Sequence, residues 1–171
     1  IILIGCGMPL FDAVNISFST AGTGGFAIKN DSLAGYSYTI QNVVTVFMIL
    51  FGVNFNMYYL ILCRKILDVI KTTELKVYLA ILSVATLAIT CNIIDMYDSV
   101  GVAVGQAAFQ VASLMSSTGF CTTDFNLWHG FSKTILVTVM MIGACAGSTG
   151  GGIKVSRVII LGKTLIKELQ T

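Results

Sequence analysis

Residues 15–26 read NISFSTAGTGGF and residues 109–120 read FQVASLMSSTGF, and these two stretches decide the fold. Gly25 and Gly119 stand 94 residues apart, and the neighbouring matches keep the same separation. In each stretch a short amphipathic segment ends in a polar, Gly-rich turn, which a polar loop and a long apolar segment follow. An order of features that recurs at a fixed separation indicates an internal repeat. The chain is therefore predicted to contain two related units in tandem.

The composition places the chain in a membrane. Of its 171 residues, 56% are hydrophobic and 11% are charged, and the mean hydropathy is +0.88. A soluble domain of this size needs more charge to cover its surface. The apolar segments 38–62 and 77–94 are each long enough to cross the roughly 30 Å hydrocarbon core as a helix. A third begins near residue 131. Asn54 and Asn56, inside the first, are expected to hydrogen-bond to neighbouring helices.

The amphipathic segments 11–20 and 104–114 are too short to cross a bilayer. About 10 residues make about 15 Å of helix. A short apolar segment of this kind is either a buried core helix or one arm of a re-entrant hairpin, and two in register favour the hairpin. The predicted fold is an all-α polytopic membrane protein, built from tandem helix–re-entrant loop–helix repeats with one broken transmembrane helix.

The positions of the charges predict the topology. Basic residues cluster in 63–76, where Glu74 offsets part of the charge, and again in the tail 154–171. The positive-inside rule places these two segments in the cytoplasm and the segments 27–37 and 95–102 on the other side. A multi-pass location in the cell membrane is expected. The chain starts without methionine inside an apolar segment, and we expect it to be a fragment.

Two turns carry the candidate chemistry, and we name residues 22–25 the first Gly turn and residues 116–119 the second Gly turn. Neither contains a general base, a metal-ligand pair or an anion-binding arginine. Glycine allows backbone conformations in which successive carbonyl groups point to one side, and hydroxyl groups add oxygen ligands. Such oxygens replace the hydration shell of a potassium-sized cation. The alternative is a flexible turn at the membrane surface.

Three motifs resemble those of potassium uptake proteins of the Trk/Ktr family. Residues 19–27 read STAGTGGFA, residues 116–124 read SSTGFCTTD, and residues 143–154 read GACAGSTGGGIK. The resemblance implies four helix–pore loop–helix repeats in one chain around a central pore. Residues 1–76 then hold the end of an outer helix, the pore loop and the inner helix of the second repeat. Residues 77–171 hold the complete third repeat.

The resemblance also implies roles for both turns. Potassium is implied as the transported ion and no covalent cofactor is expected; the residues alone leave sodium and coupled transport open. Phe26 and Phe120 are expected to pack behind the filter. The first turn has Gly22 where the second has Ser116, which leaves the set of ion-facing carbonyl groups open. The implied filter residues are Gly22, Thr23, Gly24, Gly25, Ser116, Ser117, Thr118 and Gly119.

We name residues 143–152 the Gly-rich loop. An unbroken helix over residues 131–165 would be roughly 50 Å long, too long for one straight span, and the glycines are expected to break it at mid-membrane depth. The alternatives are a packing face of small residues and, less well supported, a phosphate-binding loop. The resemblance implies an intramembrane gate. The implied gate residues are Gly143, Gly147, Ser148, Thr149, Gly150, Gly151 and Gly152.

Two basic residues and the partners complete the expectations. Lys154 and Arg157 follow the loop, and they are expected to extend to the cytoplasmic headgroups, with a charge of Lys154 near the pore as the alternative. The resemblance implies a homodimer and a cytosolic nucleotide-binding regulatory subunit that docks on segments such as 64–76 and 154–171. The lipid bilayer, potassium ions and the remaining repeats are the other expected partners. Nucleic acid is not expected.

Two rival functions follow from the same residues. An intramembrane serine hydrolase would use Ser148 or Ser156 as nucleophile and His129, the single histidine, as base. The predicted topology separates His129 from Ser148, although the chemistry requires hydrogen-bond contact. A non-conducting structural subunit is the second rival. We therefore expect a conducting protein rather than an enzyme.

Overall fold

The computed structural model describes residues 1–169, apart from the side chain of Asp68. All regular secondary structure in this range is helical, and two short 3-10 helices occur at Ile94–Met96 and Phe125–Leu127. The α-helices are α1 Ile2–Gly5, α2 Leu10–Ala21, α3 Tyr38–Phe51, α4 Phe55–Leu62, α5 Ile66–Lys71, α6 Thr73–Ile93, α7 Val100–Met115, α8 Gly130–Ile142 and α9 Val155–Leu169. The all-helical prediction is therefore confirmed.

The two short segments form the helices α2 and α7, and each ends where its Gly turn begins. Helix α2 has 12 residues, and α7 has 16 because it starts at Val100, four residues before the predicted start. Ser99 explains this early start, since its hydroxyl accepts a hydrogen bond from the Val102 N–H and caps the helix. We call α2 and α7 the half helices.

Helix α6 and the adjoining 3-10 turn form the longest apolar helical stretch. Residues Thr73–Met96 make a helix of 24 residues with a mean hydropathy of 2.2 over its most apolar window, which is long and apolar enough to cross a membrane. The side chains of Val84 and Leu87 on this helix are exposed. Outward-facing apolar side chains of this kind suit contact with lipid or with other helices.

The predicted continuous span 38–62 is wrong, because α3 and α4 meet at an angle of 89°. Gly52 lies at the break, where an added Cβ would come within 2.3 Å of the Tyr78 hydroxyl, so the chain passes very close to α6. Asn54 caps α4, since its side chain accepts the Asn56 N–H at 2.9 Å. The Asn54 side chain therefore caps the start of a new helix. It was expected to bond to a neighbouring helix instead.

The break that was predicted at residues 143–152, in the apolar segment that begins near residue 131, is present. Helix α8 ends at Ile142 and α9 begins at Val155, with the Gly-rich loop between them. Asn54 and Ser148 stand 94 residues apart, so the breaks in the two units fall at the same position of the repeat. The sequence predicts one broken helix, and the structure shows a broken inner helix in each unit.

Helix α7 lies between two buried clusters. One cluster joins α6, α7 and α8, and it includes Tyr78, Val111 and Val139. The other joins α1, α2 and α3 to Phe109 and Phe120 of the second unit. The two units therefore share a core through α7, and their Gly turns are placed close together.

Candidate functional site

The two Gly turns have matching backbone conformations. The φ angle is positive at Thr23 (49°) and Gly25 (70°), and again at Ser117 (61°) and Gly119 (84°). The two pairs stand 94 residues apart. The residue between the two members of each pair, Gly24 or Thr118, does not have a positive φ. Positive φ is uncommon outside glycine and rare for a β-branched residue such as threonine. The repeat therefore extends to the conformation of individual residues in the turns.

Both turns direct carbonyl groups away from their own half helices. In the first, the N–H of Thr23 donates to the Thr20 carbonyl and that of Gly24 to the Ser19 carbonyl, at 3.2 and 2.8 Å. In a planar trans peptide the carbonyl group points opposite to the N–H. The carbonyl groups of Gly22 and Thr23 therefore point away from α2.

The second turn repeats this arrangement. The N–H of Ser117 donates to the Leu114 carbonyl at 3.1 Å, and the N–H of Thr118 donates to the Ser113 carbonyl at 2.9 Å. By the same geometry, the carbonyl groups of Ser116 and Ser117 point away from α7. Each turn thus offers backbone oxygens on the side opposite its half helix.

The structure brings the two turns into contact. A Cβ added to Gly25 would lie 2.0 Å from the carbonyl oxygen of Thr118, which is closer than any real side chain allows. Gly119 also has positive φ, but an added Cβ there would meet no atom within 4 Å. Gly25 is therefore required by a close approach as well as by its conformation, and Gly119 by its conformation alone.

The second turn is braced from behind, and its residues Ser116 and Thr118 are buried. The Ser113 hydroxyl donates to the Phe120 carbonyl at 2.6 Å, and the hydroxyl groups of Ser116 and Thr118 lie 2.6 Å apart. Phe120 is fully buried, as predicted. The loop of the first unit covers this region, since the Leu33 N–H donates to the Cys121 carbonyl at 3.0 Å.

The first turn lacks these braces within residues 1–169. Phe26 is 80% exposed, so residues 1–169 do not pack it behind the turn, and its predicted packing stays a prediction. The Ser19 hydroxyl, at the position that corresponds to Ser113, is buried and makes no hydrogen bond in the described range. The loop of the first unit bonds to the segment after the second turn at Cys121, and the described chain makes no equivalent backbone bond at Ala27 after the first turn.

The Gly-rich loop lies against both turns. The Thr23 hydroxyl lies 3.0 Å from the Thr149 carbonyl oxygen and 2.8 Å from the Gly22 carbonyl oxygen, so its single proton is shared between the two. A Cβ added to Gly150 would lie 2.8 Å from the Ser116 carbonyl oxygen, and one added to Gly151 would lie 3.3 Å from the Ser117 hydroxyl. Three separate loop positions therefore touch the turns, and the absence of side chains at 150 and 151 allows this approach.

Three consecutive loop residues anchor the other half of the loop. The Cys145 N–H donates to the Gly52 carbonyl at 3.0 Å, and the Gly147 carbonyl accepts the Phe55 N–H at 3.1 Å. Between them, the Ala146 N–H donates to a carboxylate oxygen at 2.7 Å, and this oxygen belongs to Glu74 in the first turn of α6.

Sequence reasoning missed these anchors. Glu74 was predicted only to offset positive charge, although it stands at the start of an apolar span. The contact with the first unit was missed because the break at residues 52–54 was not predicted. The separation of 94 residues between Asn54 and Ser148 was the available signal.

The basic residues after the loop have different surroundings. The Lys154 ammonium group donates to the Gly150 carbonyl, so it turns back to the loop. The expected extension to the headgroups is therefore wrong for Lys154, and the alternative of a charge beside the loop describes it better. Arg157 is exposed.

Each half helix is tied by one polar side chain to the segment that follows its turn. The Tyr36 hydroxyl donates to the Asp12 carboxylate at 2.6 Å, and burial and this bond raise the pKa of Tyr36 to about 12. Gln106, 94 residues after Asp12, accepts a hydrogen bond from the Thr122 hydroxyl and donates to Gln41 of the first unit at 3.3 Å. In each unit, the side chain at this position of the half helix thus holds the segment that follows the Gly turn.

The geometry does not assemble a hydrolase. His129 precedes α8 and Ser148 follows it, and the 13 residues of this helix separate them by about 20 Å. The Ser148 hydroxyl donates to the Cys145 carbonyl at 2.7 Å. Ser156 lies still further along the chain, in α9. Nucleophile and base are therefore far beyond hydrogen-bond reach.

Comparison with known proteins tests the predicted family independently of the geometry. A family model described as "TrkH: Cation transport protein" matches residues 66–171. The Trk system potassium uptake protein TrkH of Salmonella typhimurium is 36% identical over 96% of this chain, and that of Escherichia coli strain K12 is 34% identical over 96%. The chain covers 35% of each protein.

A solved structure is similar throughout the chain. The crystal structure of the potassium transporter TrkH from Vibrio parahaemolyticus superposes with a TM-score of 0.88 at 33% identity, over 96% of this chain and 36% of that one. The chain thus spans about a third of the length of the relatives it matches. Their names describe transporters rather than enzymes.

Proposed function

This chain belongs to the TrkH family of cation transport proteins, and we propose on that basis that it forms part of a potassium-conducting membrane subunit. The relatives at 36% and 34% identity are named potassium uptake proteins, which supports potassium as the ion. The proposed location is the cell membrane. The chain supplies two of four pore repeats, and the rest of a longer parent chain supplies the others.

One observation carries the proposal: the two Gly turns share their backbone conformation and direct carbonyl groups away from their half helices. Carbonyl oxygens arranged around an axis replace the hydration shell of a cation such as potassium. The proposed ion ligands are the backbone oxygens of the residues at 22–25 and 116–119.

The half helices add a favourable field. Helices α2 and α7 end at the turns, so the negative ends of their dipoles lie next to the proposed ion sites. Each C-terminus carries roughly half an elementary negative charge, which attracts a cation and repels an anion. Charged side chains are absent from both turns, so selectivity depends on the backbone.

The Gly-rich loop is the proposed gate. Its contacts with Thr23, Ser116 and Ser117 support a position directly beside the filter, where it obstructs an ion path that passes the turns. Glycine with positive φ at 143, 147 and 152 allows backbone rearrangement that other residues resist. Opening requires the loop to leave these contacts.

The partners follow from the family. A homodimer and a cytosolic nucleotide-binding regulatory subunit are proposed, with the segments 64–76 and 154–171 as docking surfaces. Helix α9 supports this, because it is amphipathic, largely exposed and bears Lys163 and Arg157. Such a helix offers a surface for a partner on the cytoplasmic side.

Rubidium and sodium uptake into proteoliposomes that carry the full-length parent tests the function. The variants are Gly25→Ser and Gly119→Ser, with Gly130→Ser as the control, since an added Cβ at Gly130 meets no atom within 4 Å and its φ is not positive. A side chain at positive φ costs about 1–2 kcal/mol, and at Gly25 the clash with Thr118 adds to this.

The unchanged protein is expected to take up rubidium in preference to sodium. Gly25→Ser should lose most of this preference, Gly119→Ser should lose less, and Gly130→Ser should retain it. Flux that is absent from the unchanged protein, or indifferent to both turn variants, would show that the Gly turns are structural and that the subunit does not conduct through them.

A further inference from the structure

Glu74 makes a contact that the proposed function does not explain. Its carboxylate accepts the Ala146 N–H at 2.7 Å, across 72 residues of sequence. The two neighbouring anchors of the loop are backbone bonds to the break in the first unit. Glu74 therefore provides a charged side-chain anchor in this stretch, and it ties the loop to the outer helix of its own unit.

The environment suits an ionised carboxylate. Glu74 lies in the first turn of α6, where unpaired N–H groups and the helix dipole favour negative charge. The side chain is partly buried, and a hydrogen bond from a backbone N–H to a carboxylate is shorter and stronger than one between neutral groups. The 2.7 Å separation lies in the range of such charge-assisted bonds.

The two halves of the loop make different contacts. Residues 145–147 are hydrogen-bonded to the break in the first unit and to Glu74. Residues 149–151 touch the turns, and the Lys154 ammonium group donates to the Gly150 carbonyl. A change at the first half alters the position of the second, because only residue 148 separates them.

We propose that Glu74 is a positioning residue of the gate, which holds the Gly-rich loop against the two Gly turns. This inference rests on the proposed function of the loop and adds the side chain that sets its position. Glu74 lies within the basic segment 63–76, shortly after the end of α5. A shift of that segment therefore moves the carboxylate and releases the loop.

Two readouts test this in the full-length parent in proteoliposomes. The first is rubidium and sodium uptake. The second is the rate at which a soluble maleimide alkylates Cys145, measured by mass spectrometry of its peptide, since this thiol is fully buried beside Ala146. The variants are Glu74→Ala and Glu74→Gln. The matched controls are Asp98→Ala and Asp98→Asn, because Asp98 is exposed in the outer loop before α7.

Glu74→Ala should raise both rubidium uptake and Cys145 alkylation by roughly tenfold, the effect of losing one hydrogen bond to a charged group. In Glu74→Gln, rubidium uptake and Cys145 alkylation should lie between the values of Glu74→Ala and of the unchanged protein, because the glutamine amide oxygen still accepts the Ala146 N–H. The rubidium-to-sodium ratio should stay unchanged, which separates release of the loop from general misfolding. The Asp98 variants should match the unchanged protein.

If Cys145 is alkylated at the same rate in Glu74→Ala as in the Asp98 variants, the role of Glu74 is overturned. This holds even where selective rubidium uptake, and its loss in Gly25→Ser, uphold the proposed function. Equal effects of Glu74→Ala and Glu74→Gln, with a lower rubidium-to-sodium ratio, would also overturn it, since they indicate general destabilisation. The alkylation rate can be measured in a protein that conducts no ions. A failure of the proposed conduction is therefore distinguished from a failure of the proposed role of Glu74.

Discussion

At the scale of single residues, Thr23 and Ser117 show the backbone conformation that the two turns share. Both have positive φ although neither is glycine, and both are followed two residues later by a glycine with positive φ. Such a conformation costs about 1–2 kcal/mol, so surrounding contacts must impose it. The Thr23 hydroxyl bond to Thr149 and the N–H bonds back to the half helices supply these contacts.

The residues of the turns could be identified from sequence, but their individual roles could not. The separation of 94 residues identifies 22–25 and 116–119 as equivalent. The difference between Gly25, which is close to the Thr118 carbonyl, and Gly119, which has free space, arises from packing between the units. The glycine that both units share at this position contains no information about that packing.

Tyr36 gives a prediction at this scale. Its hydroxyl is bonded to Asp12, and its pKa is raised to about 12 from an ordinary value of 10 by burial first and by the Asp12 carboxylate second. A raised pKa means that the folded protein binds this proton more tightly, so the stabilisation is complete below pH 10. It is lost as the pH rises through about 12.

The unfolding free energy of the full-length parent should therefore fall between pH 10 and pH 12 more steeply than that of Tyr36→Phe. Denaturant unfolding at a series of pH values measures it. Tyr59→Phe is the control, since its side chain is 67% exposed. A parallel pH dependence in the unchanged protein and in Tyr36→Phe would contradict the bond to Asp12.

At the scale of helices, the two breaks in the inner helices differ in how far sequence reveals them. The Gly-rich loop contains so many glycines that a break was predictable from composition. The break at 52–54 contains one glycine, which membrane helices tolerate, so the apolar segment was predicted to be continuous. Its cause is the close passage of Gly52 beside Tyr78, a contact between distant segments.

Asn54 gives a prediction at the scale of the helix it caps. Asn54→Ala removes the acceptor for the Asn56 N–H, and loss of an N-cap costs about 1 kcal/mol. Thermal unfolding of the full-length parent should show a lower midpoint. Asn56→Ala is the matched control, because only the backbone of Asn56 takes part in the cap.

The same midpoint in Asn54→Ala and in Asn56→Ala would contradict the assignment of Asn54 as a cap. A reduced midpoint in Asn54→Ala alone would support the break as a defined helix start. The break also matters for the loop, since the Phe55 N–H, one residue after the cap, donates to the Gly147 carbonyl.

At the scale of the whole molecule, the described residues form two units that share a core and differ in how completely their turns are enclosed. The second turn is covered by the loop of the first unit, whereas in residues 1–169 Phe26 is exposed and the buried Ser19 hydroxyl has no hydrogen-bond partner. The family relatives are about three times as long as this chain. We infer that a further repeat of the parent covers the first turn in the same way.

The most direct test of the account is the position of rubidium in crystals of the full-length parent, located by its anomalous scattering. The account predicts an anomalous peak in contact with backbone carbonyl oxygens of both Gly turns, on the side opposite α2 and α7. Gly25→Ser should weaken that peak, and Gly130→Ser should leave it unchanged. Rubidium bound only at acidic side chains, or absent from the space between residues 22–25 and 116–119, would contradict the filter.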